Sequence, residues 1–199
     1  MKGKILALIV VIFCLPGCVE PMVIEPVSQE QENQENRIID EGPYNIKAPL
    51  LNSSQGNFDI LENSNGNNTL LIWVAAGCSG CHDWTEMVSE SLSNGSISNQ
   101  SNIVSIHRYP SFESNERLQN TYGNESKSTY TPWPLITPSD GDLALNASTG
   151  NQTTVTIVEA YDQPVTPTLQ IIDSQGYIIW QSATYWADYE VIEQITTLI

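Results

Sequence analysis

The stretch Thr69-Leu-Leu-Ile-Trp-Val-Ala-Ala-Gly-Cys-Ser-Gly-Cys-His-Asp-Trp-Thr-Glu-Met-Val-Ser-Glu-Ser-Leu92 decides the fold. Its first part, residues 70–76, is a continuous apolar run of strand length, as expected of a central strand buried on both faces. Two cysteines with C-x-x-C spacing, Cys78 and Cys81, follow at its end. Beyond them Trp84, Met87, Val88 and Leu92 recur at helical spacing, with Asp83, Glu86 and Glu90 among the polar positions. The segment therefore predicts a strand, a tight turn and a C-x-x-C at a helix N-terminus. Unpaired backbone N–H groups and the helix dipole favour an anion there, so the first thiol of the pair ionises more readily than a free one. The spacing assigns Cys78 as nucleophile. Cys81, one turn on, is placed to displace a mixed disulfide as the resolving thiol.

The other cysteines lie in a different kind of sequence. Lys2 and Lys4 precede an apolar run over residues 5–15, about half the length of a bilayer-spanning helix, which reads as the core of a secretory signal. The run contains Cys14 and closes on Leu15-Pro16-Gly17-Cys18, which resembles the lipobox of prokaryotic lipoproteins, with Cys18 the lipidated residue. Pro16 is unusual inside that motif. Cys14 is the competing site, disfavoured by bulky Phe13, and an uncleaved signal anchor is the alternative to cleavage. Residues 19–42 carry seven carboxylates against Arg37 alone, with Gln, Asn and Pro, too little apolar surface to offset the entropy of ordering. The expected organisation is a signal peptide over 1–17, an acidic disordered tether over 18–50, and one folded domain over 51–199.

The whole chain has 199 residues, with 7 Lys and Arg against 23 Asp and Glu, a formal charge of −16. One core fits that length, two full domains hardly do. So acidic a surface argues against nucleic acid and against anionic headgroups as partners. Asn-x-Ser/Thr sequons at Asn52, Asn67, Asn94, Asn99, Asn124, Asn146 and Asn151 suggest glycosylation outside the cell, and with the acidic composition lean towards an archaeal-type envelope. With Cys14 and Cys18 in the leader region, Cys78 and Cys81 are the only thiols of the exported domain, which excludes a disulfide scaffold. A zinc site would need two more ligands, and His82 and His107 lack the paired spacing for it.

A second segment, Pro164-Val-Thr-Pro-Thr-Leu-Gln-Ile-Ile-Asp-Ser-Gln-Gly-Tyr-Ile-Ile-Trp180, completes a resemblance. Together with the C-x-x-C segment it is similar to the thioredoxin-like fold, and within it to the membrane-anchored thiol–disulfide oxidoreductases of the TlpA and ResA group. The resemblance spans about residues 58–199. It implies an α/β three-layer fold, a central mixed β-sheet flanked by helices. It also implies that Pro167 is a cis-proline and that Thr166 pairs its backbone with a substrate strand beside Cys78, with Ser79 and Gly80 also bordering the substrate. Pro164 is the alternative for the cis position. No cofactor is required. The expected partners are extracytoplasmic protein thiols and disulfides and a membrane redox partner, with the chain held to the membrane by its lipid.

Between the two anchors, residues 102–107 read as a strand and 113–122 as a helix. Trp133-Pro-Leu-Ile with Pro138-Ser-Asp-Gly-Asp looks like the extra segment of the TlpA-like proteins. Residues 152–161 are read as a helix on topology, against their β-branched content, and Asp188 opens a last helix. Where the family usually has Trp before the first cysteine and Pro before the second, this chain has Gly77 and Gly80, and where thioredoxin has a buried Asp it has Ile72. Proton handling would then fall to water or to an inward-pointing Glu159. His107 reads as a surface histidine, and Trp133 as core, rim or a border to the cysteines. The rival functions are a copper-binding metallochaperone holding Cu(I) through Cys78, Cys81 and His107, and an interaction domain with vestigial cysteines.

Overall fold

The computed structural model describes residues 42–51, 53 and 56–199. The leader, Cys18 and the tether up to residue 41, together with Asn52, lie outside the described residues. Two short strands open the fold, β1 (Tyr44–Asn45) and β2 (Lys47–Pro49), followed by β3 (Asn57–Asp59) and the one-turn helix α1 (Ile60–Asn63). Residues 44–50, which the sequence places in the tether, thus contribute strands to the fold. Ile46 and Ala48 are fully buried there, because alternation puts one face of this segment against the sheet.

The central strand β4 (Thr69–Val74) is buried throughout and leads directly into α2 (Ser79–Ser93). Then come β5 (Asn102–His107), α3 (Asn115–Tyr122), β6 (Leu135–Ile136), β7 (Leu143–Asn146), β8 (Gln152–Thr156) and α4 (Ile157–Ala160). The chain ends with β9 (Thr168–Ile172), β10 (Ile178–Ser182) and α5 (Tyr189–Thr196). The five-stranded sheet has the order β10-β9-β4-β5-β6, with β4, β5 and β6 parallel and β9 and β10 antiparallel, so it is mixed. β1, β7 and β8 form a separate antiparallel sheet, and β2 pairs with β3.

Strand alternation divides the core in two. From β4, Leu70, Ile72 and Val74 join Trp84 and Val88 of α2, Leu118 and Tyr122 of α3, and Ile192 and Ile195 of α5. Leu71 and Trp73 face the other way, into Ile46, Ile60, Val104, Ile106, Ile157 and Tyr161. The sheet is therefore covered on both faces, as continuous burial of β4 requires, and the expected three-layer α/β architecture is present. Residues 152–161 differ from expectation. Their first half is strand β8, where β-branched side chains fit, and only 157–160 are helical, started by a capping box between Thr156 and Glu159. Among the described residues, no helix is long and apolar enough to cross a membrane.

Candidate functional site

The site sits where β4 ends. Cys78 is the N-cap of α2, with extended backbone angles, and its Sγ accepts a hydrogen bond from the Cys81 N–H at 3.1 Å. The two cysteines are joined as a disulfide, their Cα atoms 5.2 Å apart. They differ in access. Cys78 retains 9% of its surface and Cys81 none. In this disulfide form the Cys81 Sγ lies 3.9 Å from the Trp73 carbonyl oxygen, which can accept the thiol proton only after reduction.

The turn that delivers Cys78 is held from three directions. Tyr122 O–H donates to the Ala75 carbonyl at 2.8 Å, which also accepts the Cys78 N–H at 3.2 Å. Burial pushes the Tyr122 phenol above its ordinary value, with Glu113 adding to the shift, so this donor keeps its proton. His82 Nε2 lies 3.0 Å from the Ala76 carbonyl. A carbonyl only accepts, so Nε2 carries the proton in that contact. The Glu113 carboxylate takes the Ala76 N–H at 2.5 Å and the Gly77 N–H at 2.8 Å. Around Glu113 lie Arg117 Nη1 at 3.8 Å and His107 Nε2 at 3.5 Å.

Both glycine departures find a cause in neighbouring residues. A Cβ on Gly77 would come 3.0 Å from Arg117 Nη2 and 3.2 Å from Glu113 Oε1. A Cβ on Gly80 would overlap the Tyr185 carbonyl oxygen and stand 3.1 Å from its carbon. The loop carrying Tyr185 is fastened to α2 on both sides of that contact: Trp84 Nε1–H donates to the Thr184 carbonyl, and the Ala187 N–H donates to Asp83 Oδ2, each at 2.8 Å. A proline before Cys81 would meet this loop. Ser79 is exposed and Gly80 buried beneath it. Tyr185 and Trp186, packed edge to face with centroids 4.9 Å apart, stay exposed at 45% and 59%.

The Thr166–Pro167 peptide bond is cis, and Pro164 is not in that conformation. Pro167 immediately precedes β9, whose Thr168 pairs with Trp73 of β4, so both lie at the end of the sheet where Cys78 emerges. Arg108 connects this segment to β5: its Nε–H donates to the Pro164 carbonyl at 2.7 Å, and its guanidinium sits 4.8 Å over the Tyr109 ring.

Two side chains, His107 and Glu159, differ from their sequence reading, and Trp133 takes one of the positions that reading allowed. His107 is buried, 1% exposed, rather than on the surface, because it ends a strand covered on both faces. Burial lowers its pKa from 6.5 despite the opposing pull of Glu113 and Asp140, and neither ring nitrogen makes a hydrogen bond among the described residues. Glu159 is exposed and engaged in its capping box, accepting from Thr156 N and Oγ1, so it does not point inward to handle protons. Trp133 is core, its Nε1–H donating to Ser105 Oγ at 2.9 Å. Among the described residues, no three His, Cys, Asp or Glu side chains are grouped to hold a metal ion, and His107 turns to Glu113. The sequence reading missed Glu113, Tyr122, Arg108 and Tyr185, none of which bears a motif.

No protein-family model and no curated protein matches the chain. Solved structures do. A secreted Mycobacterium tuberculosis disulfide oxidoreductase homologous to Escherichia coli DsbE superposes with a TM-score of 0.55 at 14% identity, covering 77% of this chain and 96% of its own. An exposed lipoprotein thioredoxin of Streptococcus pneumoniae gives 0.53 at 15% identity, covering 78% and 99%. A thiol–disulfide oxidoreductase of Bacteroides fragilis gives 0.54 at 11% identity, covering 79% and 99%. At these identities the likeness establishes the fold, which is thioredoxin-like.

Proposed function

We propose that this thioredoxin-like domain is an extracytoplasmic thiol–disulfide oxidoreductase that reduces protein disulfides through Cys78 and Cys81. The observation that carries the proposal is the asymmetry of the bonded pair: a cysteine at a helix N-cap that keeps 9% of its surface and whose sulfur receives an N–H, and a fully buried partner one turn on. In the dithiol form the Cys78 thiolate attacks a substrate disulfide and forms a mixed disulfide. The Cys81 thiol then loses its proton and displaces the substrate thiol, which leaves reduced. Two electrons pass to the substrate and the Cys78–Cys81 disulfide is regenerated. Thr166 and Pro167, with Ser79 and Gly80, border the substrate on the same reading, which the family resemblance supports.

The lipobox at Cys18 and the acidic tether support a membrane-anchored domain outside the cytoplasm, as does the likeness to a secreted enzyme and an exposed lipoprotein. Electrons come from a membrane redox partner in this reading, and the reductase direction rests on the resemblance to the TlpA and ResA group. The test is the full-length Cys81→Ser protein, which retains the nucleophile and lacks the resolving thiol. Membranes from its host should show adducts on non-reducing gels that vanish on reduction and are absent in Cys78→Ser. No such adducts, or equal adducts in both variants, would overturn the assigned roles.

A further inference from the structure

We propose that Glu113 is a positioning residue of the Cys78–Cys81 centre: its carboxylate fixes the turn entering Cys78 through the Ala76 and Gly77 amides, and its charge makes the centre more reducing by opposing the Cys78 thiolate. The inference rests on the dithiol reading above and adds to it a residue remote in sequence.

The geometry is specific. Both carboxylate oxygens are spent on consecutive amides immediately before the nucleophile, at 2.5 and 2.8 Å, and the side chain is only 8% exposed. Such contacts are charge-assisted and hold the turn more firmly than neutral ones. They also keep a negative charge one residue from Cys78. The groups facing it are Arg117 on α3, at 3.8 Å and 58% exposed, and His107 on β5, at 3.5 Å. His107 is held neutral near pH 7 by burial, even with Glu113 and Asp140 pulling the other way. His82, on α2, is turned to the Ala76 carbonyl. Among the described residues Arg117 is thus the one permanent cation paired with Glu113, and its exposure weakens the compensation.

A like charge nearby disfavours the charged form of a titrating group. Reduction by glutathione converts the disulfide and two glutathione thiols into the Cys78 thiolate, the Cys81 thiol, glutathione disulfide and one released proton. Destabilising that thiolate shifts the balance towards the disulfide, which is the sense of a stronger reductant. Glu113→Gln keeps the size and one acceptor and removes the charge. Arg117→Met, on an exposed side chain, leaves both amide contacts and removes the countercharge.

The experiment is a glutathione titration of both variants and the unaltered protein, with the rate of Cys78 alkylation followed against pH. Glu113→Gln should move the equilibrium about tenfold towards the dithiol, about 30 mV, and shift the alkylation profile to lower pH. Arg117→Met should move both the opposite way, by about twofold. A mere loosening of the turn gives no such pair of opposite signs. Unchanged values in Glu113→Gln, or shifts of the same sign in both variants, would overturn the inference. Should Glu113→Gln fail to fold, Arg117→Met decides alone, a shift away from the dithiol supporting it and any other result refuting it. An unaltered protein with no reversible transition would instead refute the dithiol reading itself.

Discussion

Gly80→Ala should destabilise the domain, although helix propensity alone favours alanine by about 1 kcal/mol. Gly80 lies in the first turn of α2, where an added Cβ would overlap the Tyr185 carbonyl oxygen and stand 3.1 Å from the Tyr185 carbon and from its Cδ1. A backbone atom cannot rotate away as a side chain can. Relief requires the 184–187 segment to lift, and that segment is fastened by the Trp84 Nε1–H bond to Thr184 and the Ala187 N–H bond to the Asp83 carboxylate. Overpacking of this kind costs roughly 1–3 kcal/mol. Loss of one neutral and one charge-assisted hydrogen bond adds about 2–3 kcal/mol, if both break. Set against the propensity gain, the net is about 2–5 kcal/mol, or a fall in Tm of about 4–20 °C for a domain of this size. Urea and thermal unfolding of the oxidised protein measure it, with Gly141→Ala as control, since nothing lies within 4 Å of a Cβ there. Gly80→Ala as stable as the unaltered protein, or more stable, would refute the packing argument and leave propensity in charge.

The other predictions concern groups under the active turn. Tyr122→Phe removes a donor to Ala75 while the Cys78 N–H still reaches that carbonyl, so unfolding free energy should fall by about 1 kcal/mol; chemical denaturation checks it. His107 has a folded-state pKa below its ordinary 6.5. Between the two values the unfolded chain binds more protons, so its contribution is present above pH 6.5 and is lost as pH falls towards the folded value. Stability measured against pH should therefore fall less steeply below pH 6.5 in His107→Gln than in the unaltered protein, and identical slopes would contradict the assignment.

Much of the scaffold is legible in local pattern. The unbroken apolar run of β4 requires burial on both faces, and the cysteines at its end, followed by Trp84 and Val88 at helical spacing, define the strand, turn and helix that form the centre. What the sequence conceals is of two kinds. One is propensity conflict: residues 153–156 are β-branched and lie in strand β8, whereas topology argues for helix. The other is long-range contact. Glu113 reaches amides 36 and 37 residues away, and Tyr185 closes on Gly80 from the far end of the chain. Gly77 and Gly80 are visible in the sequence as differences from the proteins it resembles, but their cause is not, because no spacing links them to Arg117 or Tyr185. His107 was misplaced for the same reason, its burial being set by β5 packing between two layers rather than by its neighbours in sequence.

The most direct test of the dithiol account is a redox titration of the protein in graded glutathione buffers, acid-quenched, alkylated and weighed. The account predicts a reversible two-thiol transition confined to Cys78 and Cys81, at or below about −220 mV for a reductase. A transition near about −120 mV would contradict the reductase direction, and no reversible transition would contradict the oxidoreductase itself.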